Sequence, residues 1–179
     1  MKEKKLNNIE EIIQCLENEE EINFSISWNG EFANEITSIL EVYGYNESKK
    51  KVLKNTLLYI HNNMQQIYEN MLSALLPTLI NWGMCEKNGS GKKVMSVQEL
   101  DAAKYENDFI DVIQINCEDE IDGYAYYSII FSVDYRKFGY DDGMEVVFFK
   151  DKVIYWSDGN TREYLFEFRE HKGESTYLG

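Results

Sequence analysis

Between about residues 48 and 82, apolar side chains recur at steps of three and four: Leu53, Leu57, Ile60, Met64, Ile67, Met71 and Leu75. That period is helical and suits no strand, so it constrains the fold more than anything else in the chain. A second stripe, His61, Tyr68, Leu72 and Leu79, runs beside the first. The apolar face is therefore broad, and the helix must lie across a sheet or inside a bundle. About thirty-five helical residues would reach roughly 52 Å, longer than a small domain is wide. Pro77, the only proline, is expected to kink or split the helix, and Gly83 to stop it.

The segments on either side read as shorter elements. Residues 6–18 carry Ile9, Ile12, Ile13 and Leu16 at helical spacing, with Asn7 or Asn8 as cap. Residues 22–28 alternate Ile22, Phe24, Ile26 and Trp28, and Asn29-Gly30 follows as a two-residue hairpin signal. The next stretch suits either a helix (Phe32, Ile36, Ile39, Leu40, Tyr43) or a strand (Ile36, Ser38, Leu40, Val42). The preceding Asn-Gly favours the return strand over about 35–43. Residues 86–93 form a polar glycine-containing loop, and Ser96 with Glu99 makes a capping box for a short mid-chain helix. Beyond it the pattern is β: 109–117, 124–134, 144–150, 153–156 and 163–169, the last with Tyr164, Phe166 and Phe168 on one face. The links between them are Glu118–Gly123, a second connection ending in Asp141-Asp142-Gly143, the tight Lys150-Asp151-Lys152, and Ser157–Asn160.

The expected fold is α+β: an antiparallel β-meander packed on one long, Pro-kinked helix, with short N-terminal and mid-chain helices. At 179 residues the chain suits a single domain. Within 1–179, residues 1–20 hold the N-terminal helix, 22–83 the hairpin and long helix, 94–169 the β-rich half and 170–179 a frayed tail.

Charge limits function. Eighteen basic against thirty-two acidic residues leave −14. Phosphate backbones and anionic lipid repel such a chain, so neither nucleic acid nor membrane is an expected partner. A basic protein is. Between Val94 and Val147 stand thirteen acids and three bases (Lys104, Arg136, Lys137), a net of −10. The remaining residues together carry only −4. Three separated cysteines (Cys15, Cys85, Cys117) and a start without an apolar leader point to the cytoplasm. Lys outnumbers Arg fifteen to three, and Asn, Ile and Tyr abound, the mark of AT-rich codons and of a low-GC bacterium.

Material for catalysis is scarce. His61 and His171 are the only histidines and lie far apart in sequence, so a triad, a His general base or a zinc site lacks parts. Residues 88–93, Asn-Gly-Ser-Gly-Lys-Lys, lack the strand and spacing of a phosphate loop. No catalytic residue, metal or cofactor is expected. Two acidic clusters remain, Glu118, Asp119, Glu120 and Asp122, then Asp141, Asp142 and Glu145. Neither fits a Ca²⁺ loop, and both are candidate partner-binding residues, placed at opposite ends of strand 124–134. Thirteen tyrosines supply anchors of the kind found at interface centres.

Residues 22–156 resemble a family of uncharacterised bacterial domains common in Firmicutes and often found near polymorphic-toxin genes. The likeness lies in Trp28-Asn29-Gly30, a strand, a long helix, then Ile113–Asp119, Gly123–Tyr135 and Tyr140–Trp156. The family's usual acid-His-Gly turn is here Asp141-Asp142-Gly143, without the His. The resemblance implies a small, acidic, non-enzymatic immunity protein. The resulting expectation is an acidic cytoplasmic protein that neutralises a basic toxin. The alternatives are a small-molecule-binding or enzymatic domain using acids and tyrosines in a cleft, and an oligomerising scaffold.

Overall fold

The computed structural model describes residues 4–6, 9–16, 24–27, 37–81, 112–132 and 143–158. In chain order these form β1 (Lys4–Leu6), α1 (Ile9–Leu16), β2 (Phe24–Ser27), β3 (Thr37–Tyr43), a 3₁₀ turn (Glu47–Lys49), α2 (Lys50–Asn81), β4 (Val112–Ile121), β5 (Tyr124–Ser132), β6 (Gly143–Phe149) and β7 (Lys152–Asp158). The architecture is α+β. The seven strands form one sheet whose spatial order is their chain order.

The expected stripe is the core. Leu53, Leu57, Ile60, Met64, Ile67, Met71 and Leu75 are all buried, and Tyr68 and Leu72 of the second stripe join them. They pack on the sheet face that carries Leu40, Ile113, Ile115, Tyr127, Ile129 and Phe148. α1 adds Ile12 at its side, and Lys54 of α2 binds the Glu10 carboxylate. Among the described residues no helix is long and apolar enough to cross a membrane.

The helix breaks at a different place from the one expected. α2 runs through Pro77 to Asn81, and its non-helical backbone is at Asn63 (φ −121°, ψ 15°). The Asn63 side-chain amide donates to the Tyr59 carbonyl at 2.8 Å. It thereby takes the acceptor that the Asn63 backbone N–H would use in a regular helix.

The meander is also only part of the sheet. β4, β5, β6 and β7 pair antiparallel in succession, as expected. β3 and β4, however, are parallel, with Ile39 opposite Val112 and Tyr43 opposite Asn116. A parallel neighbour requires a crossover, and α2 lies within it. β2 and β3 pair antiparallel, as expected of a hairpin, with Ser27 facing Thr37. β1, which no sequence period announced, pairs parallel with β2. The mid-chain helix after Ser96, the strand at 163–169, the tail and Asn29-Gly30 itself lie outside the described residues.

Candidate functional site

The hairpin β4–β5 turns on Asp122-Gly123 alone, both in the left-handed region (φ 53° and 76°). Asp-Gly is the pair that a two-residue turn of this hand favours. Residues 118–121, expected in a turn, instead finish β4. Between Asn116 and Glu120 the pairing slips. Asn116 stitches this bulge: its Oδ1 accepts from the Glu118 N–H at 3.1 Å, and its Nδ2 donates to Asp119 Oδ2 at 3.1 Å.

The bulge divides the first acidic cluster. Glu118, Glu120 and Asp122 are exposed, whereas Asp119 is turned in and only 6% exposed. Asp119 therefore leaves the set of partner-facing residues; its carboxylate serves the bulge. Glu120 lies 3.5 Å from Lys49 Nζ. Ile121, between Glu120 and Asp122, is 46% exposed, the most open of the large exposed apolar side chains described. Cys117 points the other way, into the core, where burial pushes its thiol up to about 12.

The long helix holds this end of the sheet in place. Asn55 Nδ2 donates to the Gly123 carbonyl at 3.1 Å, and Thr56 Oγ1 accepts from the Ala125 N–H at 2.9 Å. The β6–β7 turn, Lys150-Asp151, comes to the same end. Tyr59 donates to Asp151 Oδ1 at 3.0 Å, Asn70 Nδ2 donates to the Asp151 carbonyl at 2.7 Å, and Tyr127 donates to the Lys150 carbonyl. Burial first, then Asp151, raises the Tyr59 hydroxyl pKa. Lys150 Nζ sits 4.3 Å from the Tyr124 ring centre, a cation–π contact beside the acidic turn.

Of the second acidic cluster the structure describes Glu145 alone. Asp141 and Asp142 lie outside the described residues. Glu145 is inside β6 and 1% exposed, so it too leaves the partner-facing set. It stands on the sheet face opposite α2. That face also carries Glu41, Gln114 and Ser128, set side by side on β3, β4 and β5 by the register. Neither Glu145 carboxylate oxygen has a hydrogen-bond partner. Burial lifts its pKa from 4.5 to about 7, and the rise is partly opposed because the nearby Ser128 hydroxyl, here directed at Gln114, can donate to the ionised form. A lone Glu within the apolar run Met144–Phe149 was the sequence signal for this burial; its closeness to Asp141 and Asp142 hid it.

Among the described residues no group of three His, Cys, Asp or Glu side chains could hold a metal ion. Comparisons with protein-family models, with curated proteins and with solved structures each gave no match.

Proposed function

We propose that the chain is an acidic binding protein that docks a basic protein through the end of the sheet formed by Glu118, Glu120, Ile121 and Asp122. The observation that carries this reading is the exposed Ile121 set among three exposed carboxylates. An apolar side chain inside a charged rim is the arrangement of an interface anchor, and the rim accelerates encounter with a cationic partner. The uneven distribution of charge supports it further. A nuclease toxin is the natural class of partner, because its own substrate demands positive charge. The resemblance to toxin-associated domains points the same way, and neutralisation by binding requires no chemistry of the chain itself.

The test is surface plasmon resonance against the product of the adjacent gene, over a salt series. Reversing Glu118, Glu120 and Asp122 to Lys should slow association severalfold at low salt, with the difference shrinking as salt rises. Ile121→Ser should speed dissociation. Binding indifferent to salt, to the reversals and to Ile121 would discard the reading. A second reading, a small-molecule site, is favoured by Glu145 alone: a buried carboxylate with a raised pKa is a common feature of such sites.

A further inference from the structure

The polar residues opposite α2 form a directed chain. Glu41 Oε2 accepts from Tyr43 OH at 2.6 Å and from Gln114 Nε2 at 2.7 Å. With its amide nitrogen committed to Glu41, Gln114 turns its Oε1 towards β5, where the Ser128 hydroxyl donates to it at 3.4 Å. Ser128 has one proton to give, and it goes to Gln114. Glu145, diagonally across on β6, receives none, although Ser128 is wholly buried and Glu145 nearly so. An ionised carboxylate there needs a donor, because a buried charge without one is costly. The Ser128 hydroxyl is a donor on that face within reach of it, since its hydrogen bond favours the charged form of Glu145. Turning it would strip Gln114 Oε1 of its partner.

We propose that Glu145 and Ser128 form a proton-operated switch in the sheet. With Glu145 neutral, the Ser128 hydroxyl closes the row to Gln114 and Glu41. With Glu145 ionised, that hydroxyl swings to the carboxylate and the row opens at Gln114. The change is one proton lost from Glu145 to solvent and one hydroxyl rotation; no covalent bond other than the acid O–H is broken.

The surroundings favour the neutral form. On the same face, the register places Tyr126 on β5, Tyr155 on β7, and Glu41 and Tyr43 on β3. The cations that the described strands place on this face are Lys5, five strands away on β1, and Lys152, exposed at the turn, whereas Glu145 lies towards the other end of β6. Among the described residues no charged group contributes to the pKa of Glu145; burial raises it to about 7. The transition therefore falls near neutral pH. The switch rests on neither reading of the protein's function.

The experiment compares wild type, Glu145→Gln and Ser128→Ala in chemical unfolding from pH 4 to 9. The side-chain amide of Gln114 is followed by NMR on the folded proteins. The folded state holds the Glu145 proton to a higher pH than the unfolded state. The stability it contributes is complete below about 4.5, is lost as pH rises and is gone above about 7. The unfolding constant of wild type relative to Glu145→Gln should rise by up to ~tenfold per pH unit across that window and then level off. The Gln114 amide signal should shift with a midpoint near 7 in wild type and stay fixed in both variants. In Ser128→Ala the Glu145 midpoint should move higher, since Ser128 is what holds it down. If Glu145→Gln does not fold, the infrared band of a protonated carboxyl in wild type, present at pH 5 and fading near 7, replaces the stability comparison. Parallel pH profiles of wild type and Glu145→Gln, absence of that band, or a Gln114 signal blind to pH would each overturn the switch.

Discussion

Two glycines show how the site depends on single residues. Gly44, just past β3, has φ +65°, and a Cβ built on it would lie 2.2 Å from Glu118 Cγ. Gly123 has φ +76°, but its Cβ would meet only Asn55 Nδ2, at an ordinary 3.6 Å. Alanine at either position suffers the left-handed penalty of ~1–2 kcal/mol. At Gly44 it also forces Glu118 aside, so Gly44→Ala should cost about 2–4 kcal/mol by urea unfolding and Gly123→Ala about half that. In a Glu118→Ala background the Gly44→Ala cost should fall towards that of Gly123→Ala, because the clash with the Glu118 side chain is relieved while the 3.2 Å approach to its backbone N remains. The turn glycine was legible from its Asp-Gly pair. Gly44 was not, because its constraint comes from Glu118, far along the chain on β4. Asp119 and Glu145 misled for a similar reason: an acid's side of a strand is set by bulges and by neighbouring strands that its local spacing does not encode.

At the scale of elements, the long helix was the most legible part, because a period of three and four survives whatever packs on it. Its energetics should follow that stripe. Ile60 is fully buried and Asn62 exposed. Ile60→Ala should lower unfolding free energy by ~2–5 kcal/mol, and Asn62→Ala should change it by no more than ~0.5 kcal/mol. Equal losses would show that the stripe does not face the sheet. Asn63 is no neutral control, since its amide holds the Tyr59 carbonyl at the break in α2. The break escaped the sequence because Asn62-Asn63 looks like any polar helical surface, while Pro77 carries the obvious signal. Strand pairing beyond the hairpins escaped it too. Tight turns dictate antiparallel neighbours, but the parallel partner of β3 depends on where α2 returns the chain.

For the molecule as a whole, charge is the dominant quantity. A net charge of −14 repels itself in the folded state. Raising ionic strength from 0.01 to 0.15 M shortens the screening length from ~30 Å to ~8 Å. The melting temperature of the chain alone should therefore rise with salt, while its association with a basic partner weakens. A fall in melting temperature over that range would mean that attractive pairs such as Lys49–Glu120 and Lys54–Glu10 outweigh the repulsion. The amino-acid sequence by itself determined the acidity, the long helix with its buried stripe, the Asp-Gly turn and the antiparallel run from β4 to β7. Each is a local period, a local turn preference or a sum over residues. Only the tertiary structure decided which acids reach the surface. Glu118, Glu120 and Asp122 stay exposed because a bulge stitched by Asn116 turns Asp119 in, and Glu145 is buried because β6 runs inside a seven-stranded sheet where its neighbours on that face, Ser128 and Val147, are buried as well. Those outcomes depend on contacts between residues tens of positions apart, which no window along the chain contains.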